Sequence, residues 1–487
     1  MVVELQYDPK RKEVKIVSEY LNNIKERFSV KNPGARFNRY QRFLPQRIYA
    51  ITNAGYCGIG LVPEIVDYLN SQTIPFEIKV NKEYNDVLLQ THILNTGTHK
   101  TLDSEFKLRD YQETAVNKAL ESGYGVVELA TGGGKTLIIA NLVYAALHSI
   151  KLTEKVLIVV PDLGLVAQTY KDFISYNFPM EIVSKWTGDT ELDSNARVII
   201  ANMGILQSKS SDISWFNKVG LLVVDECHKL RRGNKVCKLI DKIPTLRRIG
   251  FTGTLPENDI DKWNINNFIG PVIFKKTTTE LREAAGGEYI ANAQALALHI
   301  EYAMKPDYTA VAAAQRYLTE LDFIHINKFR NEVIKNIIGK LNNNSLILVD
   351  HIAHGENLYN TLSTLTGKQV YFIQGSVEVE DRKKVQELME QHNNVVCVAI
   401  SKIFSTGISI KNIHYIVFAA GGKSKIKTLQ SIGRGLRVHE NKDILTIIDI
   451  VDELIYGGKH YDKRKEFYAL EQIKITEKTI TESESTT

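Results

Sequence analysis

A chain of 487 residues that is 44% hydrophobic can bury several cores, and roughly 150 residues per domain predicts about three domains. A formal charge of +5 is too mild to demand a polyanionic partner, so the placement of the basic residues carries the information. Cys57, Cys227, Cys237 and Cys397 are too scattered for a disulfide framework or a metal-ligand set, Glu4 and Asp8 stand where a signal peptide would be, and no apolar run reaches the ~18 residues of a membrane span. The expectation is a reduced, cytoplasmic protein with no membrane partner.

Residues 1–105 read as a small α+β accessory domain, with strands in "KEVKIVS" and "FEIKVN" and an amphipathic helix in "LVPEIVDYLNSQ". Within it "GARFNRYQRFLPQRIY" carries Arg36, Arg39, Arg42 and Arg47 with no acid, interleaved with Phe37, Tyr40 and Phe43. Guanidinium groups neutralise phosphates and rings stack on exposed bases, so the segment fits a nucleic-acid surface. Core rings under a solvated basic face would give the same pattern. From residue 106 the chain changes to short apolar strands, "YGVVELA", "KVLIVVP", "ARVIIAN", "GLLVVDE" and "RRIGFTGT", alternating with helical segments. Such runs predict parallel strands buried on both faces. After about residue 271 the architecture repeats in "SLILVDH", "QVYFIQG", "NVVCVAIS", "IHYIVFAA" and "DILTIIDIV". The fold class expected is therefore α/β, with two tandem parallel-sheet domains at 106–270 and 271–472 behind the small α+β domain. "KHYDKRKEFYALEQIKI" reads as a basic terminal helix, and the polar residues 473–487 as a disordered tail.

"ELATGGGKT" joins the strand "VVELA" to the apolar helix "TLIIANLVYAALHSI", the context a phosphate-binding loop requires. Backbone N–H groups from Thr131, Gly132, Gly133 and Gly134 would converge on phosphate oxygens at a helix amino terminus. Lys135 would reach the β- and γ-phosphates, and the Thr136 hydroxyl would ligate Mg²⁺. Leu129 stands where the strict pattern has its first glycine, and a plain glycine turn is the competing reading. "GLLVVDECHK" sets Asp225 and Glu226 at the carboxyl end of an apolar strand, where α/β sheets bind ligands. Asp225 suits the cation and Glu226 the activation of a water, with a solvated acidic turn as the alternative. His228 reads as a coupling residue rather than a metal ligand. In "QSIGRGLR" a helix would bring Arg434 near Arg437, able to meet charge on a transferring γ-phosphoryl group or merely to face solvent. Arginines from the second α/β domain predict ATP in a cleft between the domains.

Together these motifs resemble the superfamily 2 helicases of the DExH type across residues 106–455. The resemblance implies RecA-like domains, ATP with Mg²⁺, and adenine contact by Gln112 of "LRDYQ". "ATGGGKT" matches motif I, "PDLGLVAQ" motif Ia, "DECH" motif II, "FSTGISI" motif V with Gly407 at the nucleotide, and "QSIGRGLR" motif VI with Gln430. "TGT" resembles motif III, which implies that Thr252 and Thr254 couple the ATP site to the nucleic-acid track. "HIAHGENLYNTL", "GGKSKIKTLQSIGRGLR" and the arginine-rich amino-terminal segment look like phage UvsW-type helicases, whose family remodels branched DNA by branch migration, fork reversal and D- or R-loop removal. That likeness implies a motor on forks or four-way junctions, expected to be a monomer; Lys423 and Lys425 of "GGKSKIK" would track phosphates or simply lie in an exposed loop. An RNA helicase, a restriction-type DNA translocase and a non-hydrolysing nucleic-acid scaffold are the competing readings.

Overall fold

The computed structural model describes residues 2–32, 45–79, 100–208, 214–231, 233–283, 291–309, 311–374, 379–401, 410–420, 422, 432, 435–436, 442 and 444–483. It divides into two compact units, Met1–Leu129 with Gly134–Lys276, and Ala130–Gly133 with Thr277–Thr487.

The first unit opens with six short strands, β1 (Val3–Asp8), β2 (Glu13–Val17), β3 (Ser29–Lys31), β4 (Arg47–Tyr49), β5 (Tyr56–Gly58) and β6 (Phe76–Lys79). Four of them form a mixed sheet in the order β5-β2-β1-β6, and β3 pairs with β4. Alternation decides which face is covered: Val3, Leu5 and Tyr7 of β1 and Val14 and Ile16 of β2 point inward. The helix Val62–Ser71, with proline in its first turn, adds Ile65 and Leu69. The core they make also contains Trp263, from the helix Asp259–Phe268 of the following domain. Trp263 Nε1 donates to Glu64 at 3.0 Å, and Asn267 Oδ1 accepts from Gly58 N at 2.8 Å. Gly58 and Gly60 permit this approach, because a Cβ at either would sit on the carbonyl oxygen of Asn267 or Asn266.

Seven parallel strands follow: β7 (Tyr124–Leu129), β8 (Lys155–Val160), β9 (Val183–Trp186), β10 (Val198–Asn202), β11 (Val219–Asp225), β12 (Arg248–Thr252) and β13 (Val272–Lys276). Their order is β13-β7-β12-β11-β8-β10-β9. The inner strands are buried on both faces, and the helix Lys135–Leu147 is buried on nearly every side, as expected for an element sandwiched in an α/β domain. The first α/β domain runs past the expected boundary at 270. β13 follows Gly270–Pro271 and pairs with β7 as an edge strand of the first sheet.

The second unit carries β14 (Asn292–Glu301), β15 (Ser345–Val349), β16 (Gln369–Ile373), β17 (Val395–Ile400), β18 (Tyr415–Phe418), β19 (Ile444–Asp452) and β20 (Lys474–Thr481). All seven are parallel, in the order β16-β17-β15-β18-β19-β14-β20. The expected terminal helix is Ile455–Leu470, and the expected disordered tail is corrected: β20 pairs with β14 from Gln294↔Lys474 to Glu301↔Thr481. An edge strand is held by main-chain bonds and leaves most side chains in water, so its composition imitates disorder. Two buried ion pairs hang from β19. Arg330 Nε donates to Asp452 at 2.7 Å, and Arg464 binds Asp449 through two nitrogens while donating to the Gly422 carbonyl at 2.6 Å. Each guanidinium is further satisfied by neighbours, which is what makes a buried charge tolerable.

Candidate active site

The sheet order sets the site. β12 lies between β7 and β11, with Thr252 level with Glu128 and Asp225 level with Phe251. The residues following β7, β12 and β11 therefore emerge side by side at the carboxyl edge. β7 leads through Ala130–Gly133 to Gly134, the residue before the helix Lys135–Leu147.

Gly132 and Gly134 hold φ of 90° and 81°, left-handed conformations that disfavour any side chain. A Cβ at Gly134 would also displace the Gln112 side-chain nitrogen, which lies against this turn. Gln112 is buried against this turn, and its Oε1 accepts from Arg109 N at 2.9 Å, capping the helix Asp110–Ser122. Lys135 Nζ donates to the Leu129 carbonyl at 3.4 Å, and Thr136 occupies the helix's first turn. A turn with left-handed glycines at 132 and 134 that ends in a lysine and a hydroxyl fits a triphosphate with its cation.

Burial and the neighbouring Glu226 charge raise the Asp225 carboxyl, while Lys135 acts in the opposite sense. A cation held there would restore the carboxylate. Glu226 is itself left-handed at φ 52°, a costly conformation for a side-chain-bearing residue and one found at functional turns. The turn aims its carboxylate at His228 Nδ1, 3.1 Å away. The same Nδ1 lies 2.9 Å from Thr252 Oγ1, which donates to the Thr254 carbonyl at 3.0 Å and accepts from Thr254 N at 3.3 Å. Because the Thr252 hydroxyl is donating to Thr254, its oxygen accepts from His228, which fixes the ring proton on Nδ1. A continuous polar path thus runs from Glu226 through His228 and Thr252 to Thr254, across two strand ends.

Gly250 makes the path possible, although no motif singles it out as a functional position. A Cβ there would meet Cys227 Sγ at 2.9 Å, so the bare strand lets the buried Cys227 seat against β12 and brings His228 to Thr252. A glycine inside the apolar run "RRIGFT" is the signal that points to it. Asp449 and Asp452, acids inside "TIIDIVD", similarly mark the two buried ion pairs. Gly407, Lys423, Lys425, Gln430, Arg434 and Arg437 lie outside the described residues, as do Arg36, Phe37, Arg39, Tyr40, Arg42 and Phe43. Arg47 is described, and its guanidinium is engaged by Glu26 at 2.9 Å and Ser29 at 2.8 Å, bracing the β3–β4 pair. No group of metal-ligating side chains lies together among the described residues, and none of the described helices is long and apolar enough to cross a membrane.

Two seven-stranded parallel sheets, the first with a glycine cradle beside an acidic pair, define a helicase ATPase of the tandem RecA-like class. Residues 105–257 match the family described as type III restriction enzyme, res subunit, and residues 329–439 match the helicase conserved C-terminal domain. The chain is 30% identical over 372 residues to the ATP-dependent DNA helicase uvsW of enterobacteria phage T4, spanning 74% of this chain and 71% of that protein. It belongs to that helicase family. Putative helicase 22 of Sulfolobus islandicus filamentous virus is 23% identical over 363 residues, 71% of this chain and 64% of its own length. At the level of fold, a fragment of a putative HsdR subunit of a type I restriction enzyme from Vibrio vulnificus aligns at TM-score 0.59 and 16% identity, covering 86% of this chain and 74% of that one.

Proposed function

We propose that this protein is an ATP-driven DNA helicase that remodels branched DNA: forks, four-way junctions and D- or R-loops. The observation that carries the reading is the Glu226–His228–Thr252–Thr254 path beside the glycine cradle, which links a hydrolytic carboxylate to a neighbouring strand end. The relationship to a phage DNA helicase supports DNA as the partner. Mg·ATP supplies the phosphoanhydride bond to be cleaved. Gly132, Gly133 and Gly134 present backbone N–H groups to the phosphates, and Lys135 orients the γ-phosphoryl group. Thr136 and Asp225 hold the cation, Glu226 polarises the attacking water, and Gln112 contacts the base. Arg434 and Arg437, with Gln430 and Gly407, complete the site in this reading by meeting charge that develops on the phosphoryl oxygens.

The test compares ATP turnover and strand displacement on forked DNA, four-way junctions, linear duplex and RNA duplex. Glu226→Gln is expected to lower DNA-stimulated turnover by on the order of 10²-fold or more without changing the melting temperature. Wild-type turnover in Glu226→Gln would remove the assigned base. Equal stimulation by RNA and DNA duplexes would reassign the partner.

A further inference from the structure

The amino-terminal edge of the first sheet faces away from the cradle; roughly 13 Å of strand separates Arg248, at the start of β12, from Thr252 at its end. At the Arg248 end the amino-terminal domain and the first α/β domain enclose an open cleft of about 1090 Å³. Arg248 is only 7% exposed. Its guanidinium donates to the carbonyls of Thr245 at 2.9 Å, Phe268 at 3.0 Å and Ile243 at 2.9 Å. Lys12, in the β1–β2 turn, donates to the Pro244 carbonyl at 2.9 Å. Every one of these acceptors is neutral, and among the described residues no carboxylate lies within ion-pair distance of either cation. Asp241 favours both charges from further away, while burial pushes Arg248 down to about 10 and Lys12 below its ordinary value. Lys10 and Arg11 continue the rim; Arg11 lies 4.0 Å from the Glu13 carboxylate, a long and exposed contact, and its guanidinium lies 4.5 Å over the Tyr56 ring. Cations held only by carbonyl dipoles are costly, and an anion in the cleft would offset that cost.

We propose that this cleft binds a phosphodiester segment of nucleic acid, a second arm of the branched substrate engaged apart from the motor's own track. The inference rests on the reading of the protein as a branched-DNA helicase. A strand fits better than a small anion because Lys10, Arg11 and Lys12 follow one another along the rim. Arg47 lines the cleft too, but its charge is committed to Glu26.

The full chain with Lys10→Gln, Arg11→Gln and Lys12→Gln is titrated with a four-way DNA junction at several salt concentrations, alongside Asp241→Asn. Melting temperature and DNA-free ATP turnover serve as controls for folding and for the ATP site. The triple variant is expected to bind the junction about tenfold more weakly, with a salt slope lower by about one for each phosphate left without its cation. Asp241→Asn, which removes an acid of the cleft that favours the charges of Lys12 and Arg248, is expected to bind more tightly. A triple variant with wild-type affinity and slope overturns the cleft assignment while leaving the motor reading in place. Wild-type protein that neither binds junctions nor hydrolyses ATP faster in their presence overturns both.

Discussion

Thr252 is the residue on which His228 and Thr254 converge. Its hydroxyl meets His228 on one side and both backbone groups of Thr254 on the other, all within 3.3 Å. Thr252→Val keeps the shape and removes these bonds, each worth about 1 kcal/mol. Strand displacement per ATP consumed is expected to fall roughly tenfold, the equivalent of about 1.4 kcal/mol, while nucleotide affinity is retained. A variant that loses turnover and displacement in the same proportion would show that Thr252 serves hydrolysis itself. The local sequence makes this path only partly legible. "DECH" and "TGT" mark chemistry-bearing residues, but their meeting depends on Gly250 leaving room for Cys227, a contact between strands that neither motif contains.

Among the elements, the helix Asp259–Phe268 does two jobs. It belongs to the first α/β domain, yet its Trp263 completes the core of the amino-terminal domain. Gly60→Ala would force a methyl group onto the Asn266 carbonyl, an overpacking that costs roughly 1–3 kcal/mol. A lowered melting temperature and faster proteolysis near residue 60 are expected. Gly188→Ala, where nothing lies within 4 Å of the new methyl, is the control and should melt as wild type. The same elements show what patterning can and cannot reveal. Continuous apolar runs give away β7, β8, β10, β11 and β12 because both faces are covered. β13 and β20 elude such a reading because an edge strand exposes its side chains, and its hydrogen bonds leave no trace in composition.

At the scale of the whole molecule, the second unit carries an acid-sensitive cluster. His354 is fully buried, its Nε2 takes a hydrogen bond from Arg330 at 3.2 Å, and its ring lies beside His325, centroids 4.6 Å apart. Burial, Arg330 and the two other histidines hold His354 well below its ordinary value. Burial, His351 and Arg330 bring His325 down to about 4, with Asp322 and Asp452 opposing. Both rings are neutral in the folded chain and protonate in the unfolded one near pH 6.5. Their contribution is therefore complete above that pH and is withdrawn as pH falls towards 4. Urea midpoints measured from pH 7.5 down to 5 should decline, and His325→Gln should flatten the decline. An unchanged slope in that variant would assign the acid sensitivity elsewhere.

All four cysteines are buried and reduced, and burial pushes Cys57 and Cys397 up to about 12 and raises Cys227 and Cys237 as well. Since the thiolate is the reactive form, the native protein should take up almost no maleimide at neutral pH. Fluorophores can then be attached to cysteines introduced at chosen surface positions, one in each unit, with no native sulfur replaced. Energy transfer between such dyes would report directly, molecule by molecule, whether the distance between the two labelled positions changes during ATP turnover.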